Sequence, residues 1–147
     1  MKLLKTTVLP ILMTTLWIGL SEFIRNQFLI KGYWIRHYED LGLVFPAEPI
    51  NGAIWGLWSL LFAVSIFMIS RKFSLVQTAL LSWFTGFVLM WVVLGNLGVL
   101  PNGLLLIAVP LSLIEAFLAS FITIKASPPD VKNPRKDTQA NEIPEND

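Results

Sequence analysis

Three polar side chains fall on one face of the first apolar segment of the sequence. Glu22, Arg25 and Asn26 occupy positions i, i+3 and i+4 within TLWIGLSEFIRNQFL, residues 15–29. At about 100° per residue in an α-helix, these positions share a face. Such a set could bind an anionic headgroup at Arg25 or a cation at Glu22. Alternatively, Glu22 and Arg25 pair with each other and reduce the cost of burial, in which case the cluster is structural.

A second carboxylate, Glu115, lies near the middle of the last apolar segment, 104–124, with no basic residue in reach on its own helix. At that depth an unpaired carboxyl group favours its neutral, protonated form. Two interpretations are open: a neutral Glu115 that hydrogen-bonds across helices, or a group that exchanges protons. Counting about 1.5 Å per residue puts Glu22 and Glu115 within about 10 Å in depth. Arg25 or Asn26 therefore reaches Glu115 if the first and last helices touch.

The polar stretch 31–50 contains the remaining candidates. These candidates are Trp34, His37 and Tyr38. Trp34, Tyr38 and Leu41 recur at i, i+4 and i+7, which predicts that the first helix continues outward for about two turns, with aromatic rings at headgroup level. His37 is flanked by charged residues, but the spacing matches no metal site. A solvated loop is the simpler interpretation.

Several kinds of chemistry are excluded by residue counts. The chain has no cysteine, which rules out disulfides, thiolate metal sites and a cysteine nucleophile. A single histidine rules out a multi-histidine metal or haem site, so neither a metal nor a cofactor is expected. No phosphate-binding glycine loop, HExxH, G-x-S-x-G or basic nucleic-acid patch is present. An enzyme is therefore the least supported class, although intramembrane acids and amides can act on lipids without such motifs.

The elements that must position these residues are membrane spans. Hydrophobic residues make up 54% of the 147 and charged residues 14%, against about 25% charged in soluble domains. The mean hydropathy is +0.64. We predict an all-α integral membrane protein, a four-helix antiparallel bundle with spans at 8–30, 51–70, 74–95 and 104–124. Residues 1–124 form one membrane domain, and 125–147 are predicted to be a disordered cytoplasmic tail.

Small residues recur at about every fourth position in three of the spans. They are Gly52, Gly56, Ser59 and Ala63; Thr78, Ser82 and Gly86; and Ala108, Ser112, Ala116 and Ser120. Such stripes let neighbouring backbones approach closely. Pro110 is predicted to kink the last span and to free a carbonyl near the site.

The first apolar segment resembles a signal peptide in its start, MKLLKTTVLPILMTTLWIGL. No small-x-small cleavage site follows it, so we expect a retained helix. A surface helix would instead carry a polar face dominated by lysine and arginine, unlike the face around Glu22. With four spans, most basic residues flank one side, and only Lys31 and Arg36 flank the other. This bias puts both termini in the cytoplasm, in a membrane expected to be the prokaryotic cytoplasmic one.

The segment GLSEFIRNQFLIK, with an acidic residue among apolar ones, resembles the first helix of small multidrug resistance transporters. That family consists of four-helix proteins with an essential membrane glutamate in this helix, and the resemblance places Glu22 in that role. It covers less than a fifth of the chain. Arg25, the long first loop, Glu115 and the C-terminal tail depart from the family pattern.

Two functional hypotheses follow from these residues. The first is a non-enzymatic membrane protein that binds a lipid or amphipathic ligand, or the helices of a partner, at Glu22, Arg25, Asn26 and Glu115. The second is a proton-coupled transporter of small molecules that acts as a homodimer, because one four-helix bundle encloses little space. The expected partners are the lipid bilayer and either a second copy or another membrane protein, with no nucleic acid.

Overall fold

The computed structural model of the protein describes residues 3–127, and this part of the chain folds into five helices. They are α1 (Leu4–Leu29), α2 (Lys31–Asp40), α3 (Pro49–Ser70), α4 (Leu75–Asn96) and α5 (Leu105–Ala126). All except α2 are long and apolar enough to cross a membrane. The prediction of an all-helical protein with four apolar spans is confirmed, and each predicted span overlaps the observed helix closely. Only α1 begins notably earlier, by four residues.

Local sequence signals explain where these helices begin and end. Pro49 occupies the first turn of α3, where its missing N–H would have no intrahelical partner. A capping box starts α4, because Ser74 and Gln77 satisfy each other's backbone N–H groups. Gly42 and Gly98 follow the ends of α2 and α4 with φ of 70°, a conformation that glycine adopts without steric cost.

The predicted outward continuation of the first helix is a separate helix. The last turn of α1, Arg25–Leu29, is π-helical, and Ile30 then leaves helical geometry with φ of −121° and ψ of 2°. Ile30 is buried against Leu104 and Ala108. The break therefore lets α2 turn over the beginning of α5 while Ile30 fills the space beneath it.

The four long helices pack around a shared interior. Both α1 and α4 contact α3 and α5, and α3 also contacts α5. The small residues of α5 lie at its contacts, since Ala108, Ser112, Ala116 and Ser120 are all buried. Only half of the small residues of α3 lie at a helix contact. Ser59 and Ala63 are buried, whereas a Cβ added at Gly52 or Gly56 would meet no atom within 4 Å.

Aromatic side chains fill the space between α3 and α4. Phe62 and Phe87 pack edge to face with centroids 5.5 Å apart. The Phe62 ring occupies the space beside Gly86, where an added Cβ would lie 2.5 Å from Cε2 of that ring. Glycine at position 86 is therefore required for the close packing of these two helices.

Pro110 lies within α5, and the kink and freed carbonyl expected of it stay predictions. α5 continues through Pro110, and the carbonyl that lacks its intrahelical donor belongs to Leu106, four residues earlier. Leu106 precedes Glu115 by nine residues, which is about 13 Å along the helix axis.

At the C-terminal end, α5 extends two residues past the predicted span, to Ala126. Ser127 is buried; its hydroxyl donates to the Thr6 carbonyl at 2.6 Å and accepts from Arg71 Nη1 at 3.2 Å. The rest of the predicted disordered tail, 128–147, lies outside the described residues.

Candidate functional site

The polar face of α1 is buried and largely bonded to itself. Glu22 and Arg25 are 3% and 7% exposed, and Arg25 Nη2 donates to Glu22 Oε1. Asn26 Nδ2 donates to the other carboxylate oxygen, Oε2, at 2.6 Å and to the Glu22 carbonyl at 3.0 Å. The i, i+3 and i+4 spacing therefore satisfies both oxygens of Glu22 from within one helix.

Glu115 meets this face from α5. It is 1% exposed, and its Oε2 lies 3.3 Å from Arg25 Nη1. Ser21 Oγ donates to the same oxygen at 2.7 Å, and Trp17 Nε1 donates to the Glu115 backbone carbonyl at 3.2 Å. The structure thus places the Arg25 guanidinium between two carboxylates from different helices.

An aromatic ring packs against the guanidinium group of Arg25. Arg25 Cζ lies 5.1 Å from the centroid of Phe87, a fully buried residue of α4. A cation over an aromatic face is stabilised by the ring quadrupole, and more so away from water. Phe87 lies in a π-helical turn of α4, Phe84–Val88, as Arg25 begins the π-helical turn of α1. Such turns are frequent at functional sites.

The cluster keeps one acceptor and one donor unused. Within residues 3–127, Glu115 Oε1 accepts no hydrogen bond from an N–H or hydroxyl group, although the carboxyl groups of Glu22 and Glu115 lie within hydrogen-bonding reach of each other. Arg25 Nη1 has no hydrogen-bond partner in this range, and only its ion pair with Glu115 Oε2 holds it. Leaving a buried polar atom unpaired costs about 1–3 kcal/mol. The arrangement can therefore gain stability from a polar group that supplies a donor to Glu115 and an acceptor to Arg25.

The candidates outside the spans are not brought to this cluster. Trp34 packs against the apolar cluster of Ile30, and Tyr38 contacts Phe45 edge to face with centroids 5.5 Å apart. His37 lines a cavity of about 470 Å³ between one face of α2 and the α4–α5 connection, which we call the α2 pocket. Its Nε2 is buried and has no hydrogen-bond partner among the described residues.

Sequence reasoning missed three contributors to the site. Ser21 and Trp17 precede Glu22 on α1 and contact Glu115, and Phe87 comes from a span without charges. The position of Trp17, four residues before Ser21, would have been a usable signal, because the two share a helix face. No sequence pattern marks Phe87, since its role depends on how α4 packs.

Two further hydrogen bonds fix the helices around the cluster. Thr14 and Thr123 join α1 to α5 through their hydroxyls at 2.7 Å. Trp83 Nε1 donates to Ser112 Oγ at 2.9 Å, which joins α4 to α5. The first contact joins two buried side chains and the second joins the partly buried Trp83 to the buried Ser112, so both stabilise the position of α5 relative to its neighbours.

The chemistry of the site has to be inferred from its own atoms. Over residues 3–127, no group of three or more histidine, cysteine, aspartate or glutamate side chains could hold a metal ion. In comparisons with known proteins, no family model, curated protein or solved structure matches this chain. What remains is a set of two buried carboxylates and one buried guanidinium, with an amide and a hydroxyl that are half-buried.

Proposed function

We propose that this protein is a non-enzymatic multi-pass protein of a prokaryotic cytoplasmic membrane, with both termini in the cytoplasm. In this proposal the cluster of Glu22, Arg25, Asn26 and Glu115 binds the polar group of a lipid or another amphipathic ligand. The observation that carries the proposal is the unused pair of buried atoms, Glu115 Oε1 and Arg25 Nη1. A donor and an acceptor held this close together suit one small polar group that offers the complementary pair.

The surroundings of the cluster support an amphipathic ligand. Ser21 and Asn26 are only half-buried, so the polar lining extends to the edge of the bundle. On the same side of α1 as Ser21, the apolar residues Ile24 and Phe28 are exposed. A ligand can therefore place its polar group beside Ser21 and its apolar part along Ile24 and Phe28, in contact with lipid.

A second candidate function is a proton-coupled transporter that acts as a homodimer. The observation that favours it is the charge balance of the cluster, in which Glu22 and Glu115 face a single guanidinium, Arg25. With both acids ionised, the buried cluster carries one uncompensated negative charge, which is costly away from water. One carboxyl group that holds a proton neutralises the cluster, and release of that proton is the step a carrier would use.

Native mass spectrometry of the protein released from its membrane by mild detergent tests the binding function. We expect a discrete bound mass on the wild type that is absent from Glu115→Gln, because the substitution changes the free acceptor. The matched control is Glu39→Gln, an exposed glutamate on α2, which should retain the bound mass. A bare protein in all three samples would contradict the proposal.

Proton release from reconstituted vesicles under a pH gradient tests the second candidate. A flux in the wild type and Glu39→Gln that Glu115→Gln abolishes would support the transporter. A bound mass that depends on Glu115, without any flux, would reject the transporter and leave the binding function in place.

A further inference from the structure

The α2 pocket lies where the apolar helices α1 and α4 end and α5 begins. It is formed by residues from α2 and by Pro101 and Asn102 of the α4–α5 connection, which lie beyond the ends of the apolar spans, and by Leu29, the last residue of α1. Tyr33 lines the pocket and Trp34 follows it, and such amphipathic rings favour this depth. The pocket is therefore in reach of a headgroup whose acyl chains remain in the bilayer.

Two opposite charges line the α2 pocket without pairing. Arg36 and Asp40 are four residues apart on α2, close enough for an ion pair on one helix face. In the described part of the chain, however, no ion pair within 4.0 Å involves either residue. Both charges border the same cavity of about 470 Å³ and remain open to a ligand that carries both signs.

The pocket is also continuous with the lipid-facing surface. Leu29, in the last turn of α1, contributes to its lining and is 50% exposed. Phe28 beside it is 72% exposed. A lipid whose headgroup occupies the polar part of the pocket can thus extend its apolar chain directly along α1. A soluble zwitterion has no apolar chain and cannot make this contact.

We propose that the α2 pocket binds the headgroup of a phosphoethanolamine lipid. Arg36 contacts the phosphate, and Asp40 accepts hydrogen bonds from the primary ammonium group an ethylene unit away. Phosphatidylglycerol lacks the cation that Asp40 requires, and the trimethylated ammonium group of phosphatidylcholine has no N–H to donate. This inference rests on the lipid-binding function proposed above, and it adds a second location and a lipid class.

The test is a lipid titration of the full-length, delipidated protein followed by native mass spectrometry. The probes are phosphatidylethanolamine, phosphatidylglycerol and phosphatidylcholine with identical acyl chains, and soluble glycerophosphoethanolamine. We expect phosphatidylethanolamine to bind most tightly. Arg36→Gln and Asp40→Asn should each weaken its binding about five- to tenfold, the effect of one charge near the membrane surface.

Matched controls lie on the same helix. Lys31→Gln and Glu39→Gln remove one positive and one negative charge from α2 residues that do not line the pocket, and they should leave the binding unchanged. Thermal unfolding in the same detergent identifies any variant that fails to fold. For such a variant, the exchange Arg36→Asp with Asp40→Arg replaces the single substitutions, because it keeps both charges in the pocket; we expect it to retain binding.

Several results would overturn the inference. Equal or tighter binding of phosphatidylglycerol would contradict the need for a cation at Asp40. Equal binding of glycerophosphoethanolamine would show that a soluble compound, not a lipid, is the ligand. Phosphatidylethanolamine binding that is unchanged in Arg36→Gln and Asp40→Asn would place the lipid elsewhere.

Including Glu115→Gln in the titration separates this inference from the proposed function. Phosphatidylethanolamine binding that depends on Arg36 and Asp40 but not on Glu115 supports the α2 pocket even if no ligand co-purifies at the intramembrane cluster. Binding that depends on Glu115 but not on Arg36 assigns the lipid to the intramembrane cluster and overturns the inference.

Discussion

Removing the cation from the cluster should be far more damaging than removing one of its acids. In Arg25→Met, the buried carboxylates of Glu22 and Glu115 lose their common partner, and the contact with Phe87 is lost as well. Breaking a buried ion pair by removing one partner costs about 3–5 kcal/mol of unfolding free energy. In Glu115→Gln, the Arg25–Glu22 pair remains and the new amide can still accept from Ser21. We expect Glu115→Gln to lower the free energy of unfolding by less than about 1 kcal/mol.

Unfolding in mixed micelles with increasing SDS, followed by the fluorescence of the native tryptophans, measures these free energies. The control is Lys31→Met, which removes a partly exposed cation whose ammonium group donates to Gln27 Oε1 at 3.0 Å; surface substitutions of this kind stay within about 0.5 kcal/mol. The combination of Arg25→Met with Glu22→Gln and Glu115→Gln should recover most of the stability, because no charge is left unpaired. Equal losses in Arg25→Met and Glu115→Gln would refute the charge argument.

Two further predictions concern packing and topology. Gly86→Ala should destabilise the protein by about 1–3 kcal/mol, because the added Cβ meets the buried Phe62 ring. Gly56→Ala, the control, should be neutral or slightly stabilising in the same SDS titration. Equal stability of the two variants would contradict the packing of α3 against α4. The proposed topology places Glu39 outside the cytoplasm and Lys72 inside it. In intact cells, a membrane-impermeant maleimide should therefore label Glu39→Cys but not Lys72→Cys, with no background because the chain has no native cysteine. The reverse labelling pattern would contradict the proposed topology.

The sequence was most informative where one physical constraint dominates. Long segments that are mostly apolar predict the four spans, because backbone groups in lipid must bond within a helix. The grouping of Glu22, Arg25 and Asn26 follows from helical periodicity alone, and the structure shows that these side chains bond to each other. The proximity of Arg25 and Glu115 was expected only if two particular helices touch.

Features that depend on tertiary packing were not accessible from the sequence. The break at Ile30 interrupts what reads as a continuous amphipathic pattern, and it exists because Ile30 packs against Leu104 and Ala108. Phe87 has no distinguishing sequence context, and its contact with Arg25 depends on the π-helical turn in α4. The unpaired Arg36 and Asp40 resemble an ordinary solvated i, i+4 pair until the α2 pocket is seen.

Cross-linking of α1 to α5 tests most directly whether these helices pack so as to place Arg25 against Glu115. The Thr14 and Thr123 hydroxyl oxygens lie 2.7 Å apart in that interface. Cysteines at both positions are therefore close enough to form a disulfide. We expect efficient oxidative cross-linking of Thr14→Cys with Thr123→Cys, and none for Leu16→Cys with Thr123→Cys, because Leu16 is 73% exposed. Failure of the first pair to cross-link, or equal cross-linking of both, would contradict the packing on which the site depends.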